Sequence, residues 1–236
     1  MIFQFKKFSI QQQKAAMKIG TDAVLLGAWT PINHRPFSIL DIGTGTGIIA
    51  LMLAQRTSAD QIDGIEIEEN AYEQTVENFE NSPYNDRLFC YHASVQELAT
   101  EPDDLYDLIV CNPPFFTENY FSDDEKRNLA RFESSLPFEE LLHSVEVLLA
   151  TEGVFSVIIP FAEEENFINI ARKNNLFPFQ ITRTKGTFES PIKRSLIAFA
   201  KKNSQDIQIS ELIIEHTRHN YTDEYIQLTK DFYLKM

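Results

Sequence analysis

Short apolar runs alternate along the chain with longer stretches in which apolar residues recur every three or four positions. Runs of the first kind are typical of buried strands, and the second pattern is typical of helices that cover a sheet. The pattern predicts strands at residues 38–42, 62–67, 88–93, 106–111 and 154–159, and helices at residues 48–56, 69–81, 95–98, 138–150 and 163–174. Strands and helices that alternate in this way build a parallel sheet with crossover helices.

The last two apolar runs, residues 179–185 and 195–200, break this alternation. The loop between them is too short for a crossover helix, so these two strands should pair antiparallel. We therefore expect an α/β, Rossmann-like fold with a mostly parallel seven-stranded sheet, one antiparallel strand, and helices on both faces. This single domain should span residues 38–236, after an amino-terminal segment of residues 1–37.

Two of the helical patterns indicate which side chains face the core. The helix at residues 69–81 should turn three apolar residues inward, namely Ala71, Val76 and Phe79. A short helix is also predicted within residues 222–234, and it should dock on the domain through Tyr225, Leu228 and Phe232.

Length and composition favour one large domain in the cytoplasm. A chain of 236 residues is long enough to bury a sizeable core. No apolar run approaches the roughly 18 to 20 residues that a membrane span needs, and Lys6 and Lys7 stand where a signal peptide would be apolar. Cys90 and Cys111 are too few for a disulfide framework or a zinc site, so we expect no metal.

The net charge of −14 argues against a nucleic-acid partner, because phosphate attraction supplies much of that affinity. The charge is uneven, however. The first twenty residues hold four lysines and no acid, and residues 183–202 hold six cationic residues against Glu189 alone. Two basic segments on an acidic body indicate either a local RNA-facing surface or two solvated faces, and charge alone leaves both open.

A glycine-rich turn follows the first strand of the predicted sheet, in the run Asp41-Ile42-Gly43-Thr44-Gly45-Thr46-Gly47. Glycine lets the backbone approach a ligand closely and adopt positive φ. A nicotinamide site would need glycine at position 48, where Ile48 stands. The spacing instead resembles the turn that binds S-adenosylmethionine, so we expect Asp41, Gly43, Gly45 and Gly47 to form that site; the alternative is a structural turn.

Two further positions belong to the same expected site. Glu66 ends the second strand, where an acid can accept hydrogen bonds from both ribose hydroxyls of the cofactor. After the third strand, many such enzymes place an aspartate against the cofactor adenine, whereas this chain has Ser94. Ser94 is therefore a weaker candidate for that contact.

The fourth strand ends in Asn112-Pro113-Pro114-Phe115. The lone pair of a nucleobase amino group is delocalised into the ring, so acceptors that draw the nitrogen towards tetrahedral geometry make it a better nucleophile. The Asn112 side-chain oxygen and the Pro113 carbonyl can accept hydrogen bonds from the two N–H groups of the amino nitrogen, and Phe115 can stack on the base. We interpret Asn112, Pro113 and Phe115 as catalytic; the alternative is a Pro-Pro strand terminator with a buried Phe.

The whole chain resembles the bacterial tRNA(Val) adenine-37 N6-methyltransferases, which have a class I methyltransferase fold. The resemblance rests on the glycine turn, on the Asn-Pro-Pro-Phe turn, and on residues 16–22, 25–29, 51–56, 130–131, 220–221 and 232–234. It implies S-adenosylmethionine as cofactor and transfer of its methyl group to N6 of an adenine beside the anticodon of a valine tRNA. We also expect the protein to act as a monomer.

The resemblance implies further site residues. Thr21 matches a segment that borders the cofactor pocket in such enzymes, although Thr21 or Asp22 would also suit a helix N-cap. Lys18, Arg131 and Arg194 are candidates for RNA contacts, with a surface ion pair as the alternative for the two arginines.

Two other functions stay open at this point. The Asn-Pro-Pro turn also occurs in methyltransferases that modify rRNA, DNA or protein glutamine, but the accessory domains usual in those enzymes have no room here. A catalytically silent adaptor with this fold is the second alternative. The intact Asn112 and Gly43 argue against it.

Overall fold

The computed structural model describes residues 2–15, 17–100, 102, 104–114, 136–203 and 206–236. In chain order, its strands are β1 (Ile2–Gln4), β2 (Ser9–Gln11), β3 (Ser38–Ile42), β4 (Gln61–Glu66), β5 (Leu88–His92), β6 (Tyr106–Cys111), β7 (Leu149–Pro160), β8 (Phe177–Lys185), β9 (Ile192–Ala200), β10 (Gln208–Ile213), β11 (Glu215–Thr217) and β12 (Asn220–Tyr221). Its helices are α1 (Thr21–Trp29), α2 (Ile48–Arg56), α3 (Glu69–Glu80), α4 (Val95–Thr100), α5 (Phe138–Leu148), α6 (Glu164–Lys173) and α7 (Asp223–Thr229).

The central sheet has the strand order β10-β8-β9-β7-β6-β3-β4-β5. Its neighbouring strands run parallel except on the two sides of β9, which is antiparallel to both β7 and β8. The prediction of a mostly parallel sheet with one antiparallel strand is therefore confirmed. The predicted count of seven strands was wrong by one, because β10 adds an eighth strand parallel to β8. Only Leu212 of β10 is buried, so this edge strand lacks the apolar run that marks the others.

Helices cover both faces of the sheet, as predicted. Successive residues of β3 point to opposite faces, so Ile39 belongs to one hydrophobic cluster and Leu40 to the other. The first cluster contains side chains of α1, α2 and α7, and the second contains those of α5 and α6. Both faces of the central strands β3 and β6 are thus buried, which explains their nearly continuous apolar sequences.

The amino-terminal segment packs into the first of these clusters. Strands β1 and β2 form an antiparallel hairpin, and the connection between them contributes Phe5, which is fully buried. The Phe5 ring lies 4.8 Å from that of Phe8 and 6.0 Å from that of Tyr233. The carboxyl-terminal stretch docks here, as predicted, with Tyr225 and Phe232 buried, but its helix α7 ends at Thr229, earlier than expected.

Candidate cofactor and methyl-acceptor site

The glycine turn connects β3 to α2, and its three glycines have positive φ: 65° at Gly43, 61° at Gly45 and 78° at Gly47. L-residues with a side chain rarely adopt this conformation. No atom of the described residues lies within 4 Å of a Cβ placed at Gly43, and a Cβ at Gly45 meets only the Gly43 oxygen, at 3.9 Å. A Cβ at Gly47 would lie 2.6 Å from Cε1 of Phe79. The first two glycines therefore border open space, whereas the third permits close packing against α3.

Glu66, the last residue of β4, is fixed beside this turn. Its Oε2 accepts a hydrogen bond from the Gly45 amide (3.0 Å), and its Oε1 accepts from the amides of Ile67 (2.9 Å) and Glu68 (3.0 Å). An ionised carboxylate offers about four acceptor positions. Three backbone donors thus hold Glu66 in place and leave acceptor capacity for a ligand hydroxyl.

Asp41 lies fully buried beneath the turn. Its Oδ2 accepts hydrogen bonds from Thr44 Oγ1 (2.7 Å) and the Ala50 amide (3.2 Å). Its Oδ1 has no hydrogen-bond partner among the residues that the structure describes. Burial raises the pKa of Asp41 to about 7, and the negative charge of Glu66 acts in the same direction. A buried acceptor without a donor fits a ligand that brings an N–H group or a positive charge.

Helix α3 anchors the turn through buried polar side chains. Thr75 Oγ1 donates to the Gly45 carbonyl (2.8 Å), and Asn78 Nδ2 donates to the carbonyls of Thr46 (2.8 Å) and Gln11 (2.9 Å). The Gln11 amide donates back to Asn78 Oδ1 (2.8 Å). One asparagine therefore connects the glycine turn to strand β2 of the amino-terminal hairpin.

These anchoring residues were not identified from the sequence. Gln74, Thr75 and Asn78 are buried, whereas Val76, which was expected to face inward, is only partly buried. The spacing of the three polar residues puts them on one side of α3. This common side was the feature of the sequence that could have indicated a shared contact. Their polarity concealed it, because polar residues at helical spacing usually mark a solvated face.

Ser94 has a local role at the start of α4. Its amide and its hydroxyl both donate to Glu97 Oε2 (2.8 Å each), and the Glu97 amide donates to Ser94 Oγ (3.2 Å). This reciprocal arrangement is a capping box. The hydroxyl that was expected to contact the cofactor adenine thus already takes part in the helix cap, and that contact stays a prediction.

Asn112 follows directly on β6, whose last residue, Cys111, pairs with Ile42 of β3. Asn112 and Gly43 are therefore the first residues after the ends of two neighbouring parallel strands, and such strands lie about 4.8 Å apart. At this point the strand order reverses, and ligands bind in the crevice that such a reversal creates. Asn112 is half-buried, Pro113 is buried and Pro114 is exposed. Two of the candidate site residues, Phe115 and Arg131, lie outside the described residues.

The remaining candidates lie around the start of α1. Gly20 occupies the N-cap position, with no side-chain cap, so the N-cap interpretation of Thr21 or Asp22 was wrong. Asp22 Oδ2 instead accepts a hydrogen bond from Arg194 Nε (2.8 Å), in the ion pair weighed as the alternative for that arginine. The exposed Lys18 donates through Nζ to the Gln12 carbonyl (3.2 Å).

The two cysteines are not activated as thiolates. Burial raises the pKa of Cys90 to about 12 and that of Cys111 well above its ordinary value, so both remain protonated at neutral pH. Within the described ranges, no helix is long and apolar enough to cross a membrane. The same residues contain no group of three or more His, Cys, Asp or Glu side chains that could hold a metal ion.

The strand order of the central sheet places the chain in the class I fold of S-adenosylmethionine-dependent methyltransferases. A family model described as a methyltransferase small domain matches residues 16–131. The chain is similar to a structure from Agrobacterium tumefaciens that is described as a predicted O-methyltransferase. That match has a TM-score of 0.71 at 19% identity and covers 89% of this chain and 96% of the other. A ribosomal protein methylase from Lactobacillus delbrueckii shares the fold with a TM-score of 0.57 at 17% identity and covers 81% and 83%.

Full-length relatives identify the family more narrowly. The chain is 62% identical over 235 residues to a protein of Flavobacterium psychrophilum and 60% identical to one of Flavobacterium johnsoniae, with 100% of each chain covered. A relative from Bacteroides fragilis is 45% identical and covers 99% of this chain and 98% of its own. All three are named tRNA1(Val) (adenine(37)-N6)-methyltransferase, and the chain belongs to that family.

Proposed function

We propose that this protein transfers a methyl group from S-adenosylmethionine to N6 of adenine 37 in a valine tRNA. The observation that carries the reaction type is the position of Asn112 beside Gly43, which brings an amino-group acceptor turn next to an open glycine turn. The names of the full-length relatives support the choice of nucleotide and tRNA. We further propose that the protein acts as a monomer in the cytoplasm and that residues 1–37 belong to the same domain as the sheet.

The described residues fit the cofactor. The open space at Gly43 and Gly45 allows a ligand to lie against the backbone, and Glu66 has acceptor capacity for ribose hydroxyls. Asp41 Oδ1 offers a buried acceptor for the cofactor's amino group. We assign Gly47 to the packing of the turn. We assign Thr21 and Asn112 to the border of the cofactor pocket. When bound, the cofactor supplies an electrophilic methyl group on a positively charged sulfur.

Asn112 and Pro113 act on the nucleophile. The Asn112 side-chain oxygen and the Pro113 carbonyl accept hydrogen bonds from the two N–H groups of the adenine N6. These bonds orient the nitrogen lone pair towards the methyl carbon and favour tetrahedral geometry at nitrogen. The proton that leaves afterwards needs no strong base, because a methylated, positively charged amine is acidic. Phe115 would supply the ring face against which the base stacks.

Positioning accounts for the rest of the rate enhancement. Holding nitrogen, methyl carbon and sulfur in line removes an entropic barrier of up to roughly 7–11 kcal/mol. The target base must leave its stack, which costs less for a loop nucleotide than for a paired one. A half-buried Asn112 at the open end of β6 is accessible to such an extruded base. Lys18, Arg131 and Arg194 are the proposed contacts to the flanking RNA backbone.

The test is transfer of labelled methyl groups to total tRNA from a strain that lacks this enzyme, followed by nucleoside analysis. We expect N6-methyladenosine at position 37 of the valine tRNA, and no label in a transcript that carries guanosine at that position. Label in rRNA or protein but not in tRNA would replace this proposal with another amino-group acceptor. Cofactor binding without transfer to any of these would indicate the silent adaptor.

A further inference from the structure

An open pocket of about 750 Å³ lies where the two ends of the described chain meet. It is bounded by the β1–β2 hairpin, the start of α1, the loop after β8 and the residues around α7. Four aromatic side chains line it: Phe3, Tyr221, Tyr225 and Tyr233. Its volume falls in the range of small-ligand sites, roughly 300–1,000 Å³. None of the roles proposed above uses these rings.

The aromatic side chains of this wall pack against one another. The ring centroids of Tyr221 and Tyr225 are 5.2 Å apart, and those of Phe3 and Tyr233 are 6.4 Å apart. Tyr225 is only 3% exposed and shares a side-chain hydrogen bond with Tyr233. Tyr221 is half-buried and presents part of its ring to the pocket. An open site with preformed ring faces is suited to a flat, aromatic ligand.

The pocket shares an edge of the sheet with the methyl-acceptor site. Thr21 lines the pocket, and the adjacent Asp22 is bonded to Arg194 at the start of β9. Arg194 pairs with Pro160 at the carboxyl end of β7, and β7 is the neighbour of β6, which Asn112 follows. Strand β9 therefore lies two strands away from β6 in the sheet. At about 4.8 Å per strand, Arg194 lies on a strand roughly 10 Å from the strand that Asn112 follows.

The lining also contains polar groups that can read the edge of a base. Thr21 supplies a hydroxyl that can donate or accept, and Lys235 adds a positive charge at the rim. Gln4 supplies its side-chain oxygen as an acceptor, because its Nε2 already donates to the carbonyls of Phe5 (3.0 Å) and Phe8 (3.3 Å). Glu215 lines the pocket as well, but it is turned to local use because its Oε1 accepts from the His219 amide (3.2 Å). Sequence-specific RNA recognition commonly stacks an unpaired base on such rings while hydrogen bonds read its edge.

We propose that this tyrosine pocket binds an unpaired base of the same RNA molecule, close to the adenine that is methylated. The proposal rests on the proposed function, because the partner is the RNA whose adenine reaches Asn112. Stacking in the pocket holds the loop open while the target base turns into the acceptor site. The pocket thereby contributes to the choice of RNA, a step in which the Asn112 turn has no part.

The first test measures the dissociation constant of unmodified valine tRNA for variants at Tyr221, whose ring is accessible. Tyr221→Ala should weaken RNA binding about tenfold, the equivalent of one lost base–aromatic stack. Tyr221→Phe keeps the ring and should bind almost as the parent does. Phe37→Ala is the matched control, because Phe37 is 61% exposed but precedes β3, at the opposite edge of the sheet. Cofactor affinity should be unchanged in all three.

The second test removes the base as well as the ring, so that loss of one specific stack is separated from a general loss of RNA binding. Transcripts with a single abasic nucleotide at each anticodon-loop position are titrated against the parent protein and Tyr221→Ala. We expect one position other than 37 at which base removal weakens binding to the parent but not to Tyr221→Ala. If every base removal changes the dissociation constant equally for the two proteins, the pocket proposal is overturned.

The outcomes separate the two proposals. If adenine 37 is methylated but RNA binding is insensitive to substitution of Tyr221, the pocket proposal is overturned and the proposed function stands. Tyr221-dependent RNA binding without transfer to adenine 37 removes the function and keeps the pocket. A parent protein that neither binds nor methylates valine tRNA overturns both.

Discussion

Asn112 is the residue at which the proposed chemistry is most directly tested. Asn112→Ala removes one of the two acceptors that orient the adenine amino group but leaves the glycine turn intact. We expect the rate of methyl transfer to fall by about 10²–10³-fold, the scale of losing one positioned hydrogen-bonding group in an active site. Cofactor affinity should stay near that of the parent. Single-turnover transfer and a separate cofactor titration measure the two quantities.

Asn112→Asp is the companion variant, because it keeps an oxygen acceptor in the same place. It should retain more activity than Asn112→Ala. Equal losses in the two variants would show that the acceptor oxygen is not what the reaction requires.

Asp41 predicts a pH dependence of stability. Its pKa is raised from 3.8 to about 7 in the folded protein, chiefly by burial. The folded state therefore binds more protons than the unfolded chain between these values, and the stability that Asp41 contributes is fully present below pH 3.8 and lost as pH rises through about 7. Asp41→Asn can preserve the acceptor for Thr44 and Ala50 without titrating. Denaturant unfolding of the cofactor-free proteins at several pH values should show the parent losing stability relative to Asp41→Asn across this window. Parallel curves for the two proteins would contradict the assignment.

The positions of single residues in the fold could be predicted where the motif is local in the chain. The glycines, Glu66 and Asn112 each end a strand in a recognisable motif, and the structure gathers them at one edge of the sheet. Asn78 could not be found in this way, because its bonds reach Gln11, which is 67 residues away. A buried polar side chain is explained by its partner, and the partner is known only once the chain is folded.

At the scale of elements, the glycine turn joins two functions that substitution should separate. Gly47→Ala forces a Cβ to within 2.6 Å of the Phe79 ring at a positive φ. We expect a loss of about 2–4 kcal/mol of stability from overpacking and left-handed strain together. Gly43→Ala carries a similar backbone strain but meets no neighbour, so it should cost only about 1–2 kcal/mol.

Cofactor binding should rank the two variants in the opposite order. Gly43→Ala fills the open side of the turn and should weaken cofactor affinity, even where the protein remains folded. Urea unfolding and cofactor titration of both variants measure the two effects. A Gly43→Ala protein with normal cofactor affinity would show that this space does not hold the ligand.

The same scale shows which elements the apolar pattern predicts. The strands with two buried faces, such as β3 and β6, carry continuous apolar runs and were found within a residue of their bounds. Strands β1, β2 and β10 were missed, since each is short or mostly exposed. Their pairing comes from tertiary contacts, which override weak local preference.

At the scale of the whole molecule, the basic amino-terminal segment is less available to RNA than its sequence indicates. Lys14 is bound by Glu73 and Glu77, at 2.8 Å each, and these partners raise its pKa to about 12. Lys6 donates through Nζ to the Lys230 carbonyl. Both lysines hold the amino-terminal hairpin to the rest of the protein, and the positive charge of Lys14 is balanced by its two carboxylate partners.

The second basic segment is divided by the fold between the two edges of the sheet. Because β9 is antiparallel, Lys193 near its start lies at the edge that carries Asn112, whereas Lys202 follows its end at the opposite edge. Both lysines are exposed. Three exposed lysines lie on the Asn112 side, namely Lys18, Lys193 and Lys235. These three lysines form a small cationic rim at the edge of the sheet where the RNA is proposed to dock.

This rim predicts a shallow salt dependence of RNA binding. One phosphate contact from each of these three lysines contributes about −2 to the slope of log affinity against log salt for single-stranded RNA. Lys193→Ala should reduce the slope by about 0.7 and weaken binding at low salt, because one counterion fewer is released. Lys202→Ala removes the same charge from the opposite edge and should leave the slope unchanged. The measurement is the dissociation constant of valine tRNA for the parent and both variants over a range of potassium chloride concentrations. Equal changes in the two variants would mean that the RNA follows net charge instead of this edge of the sheet.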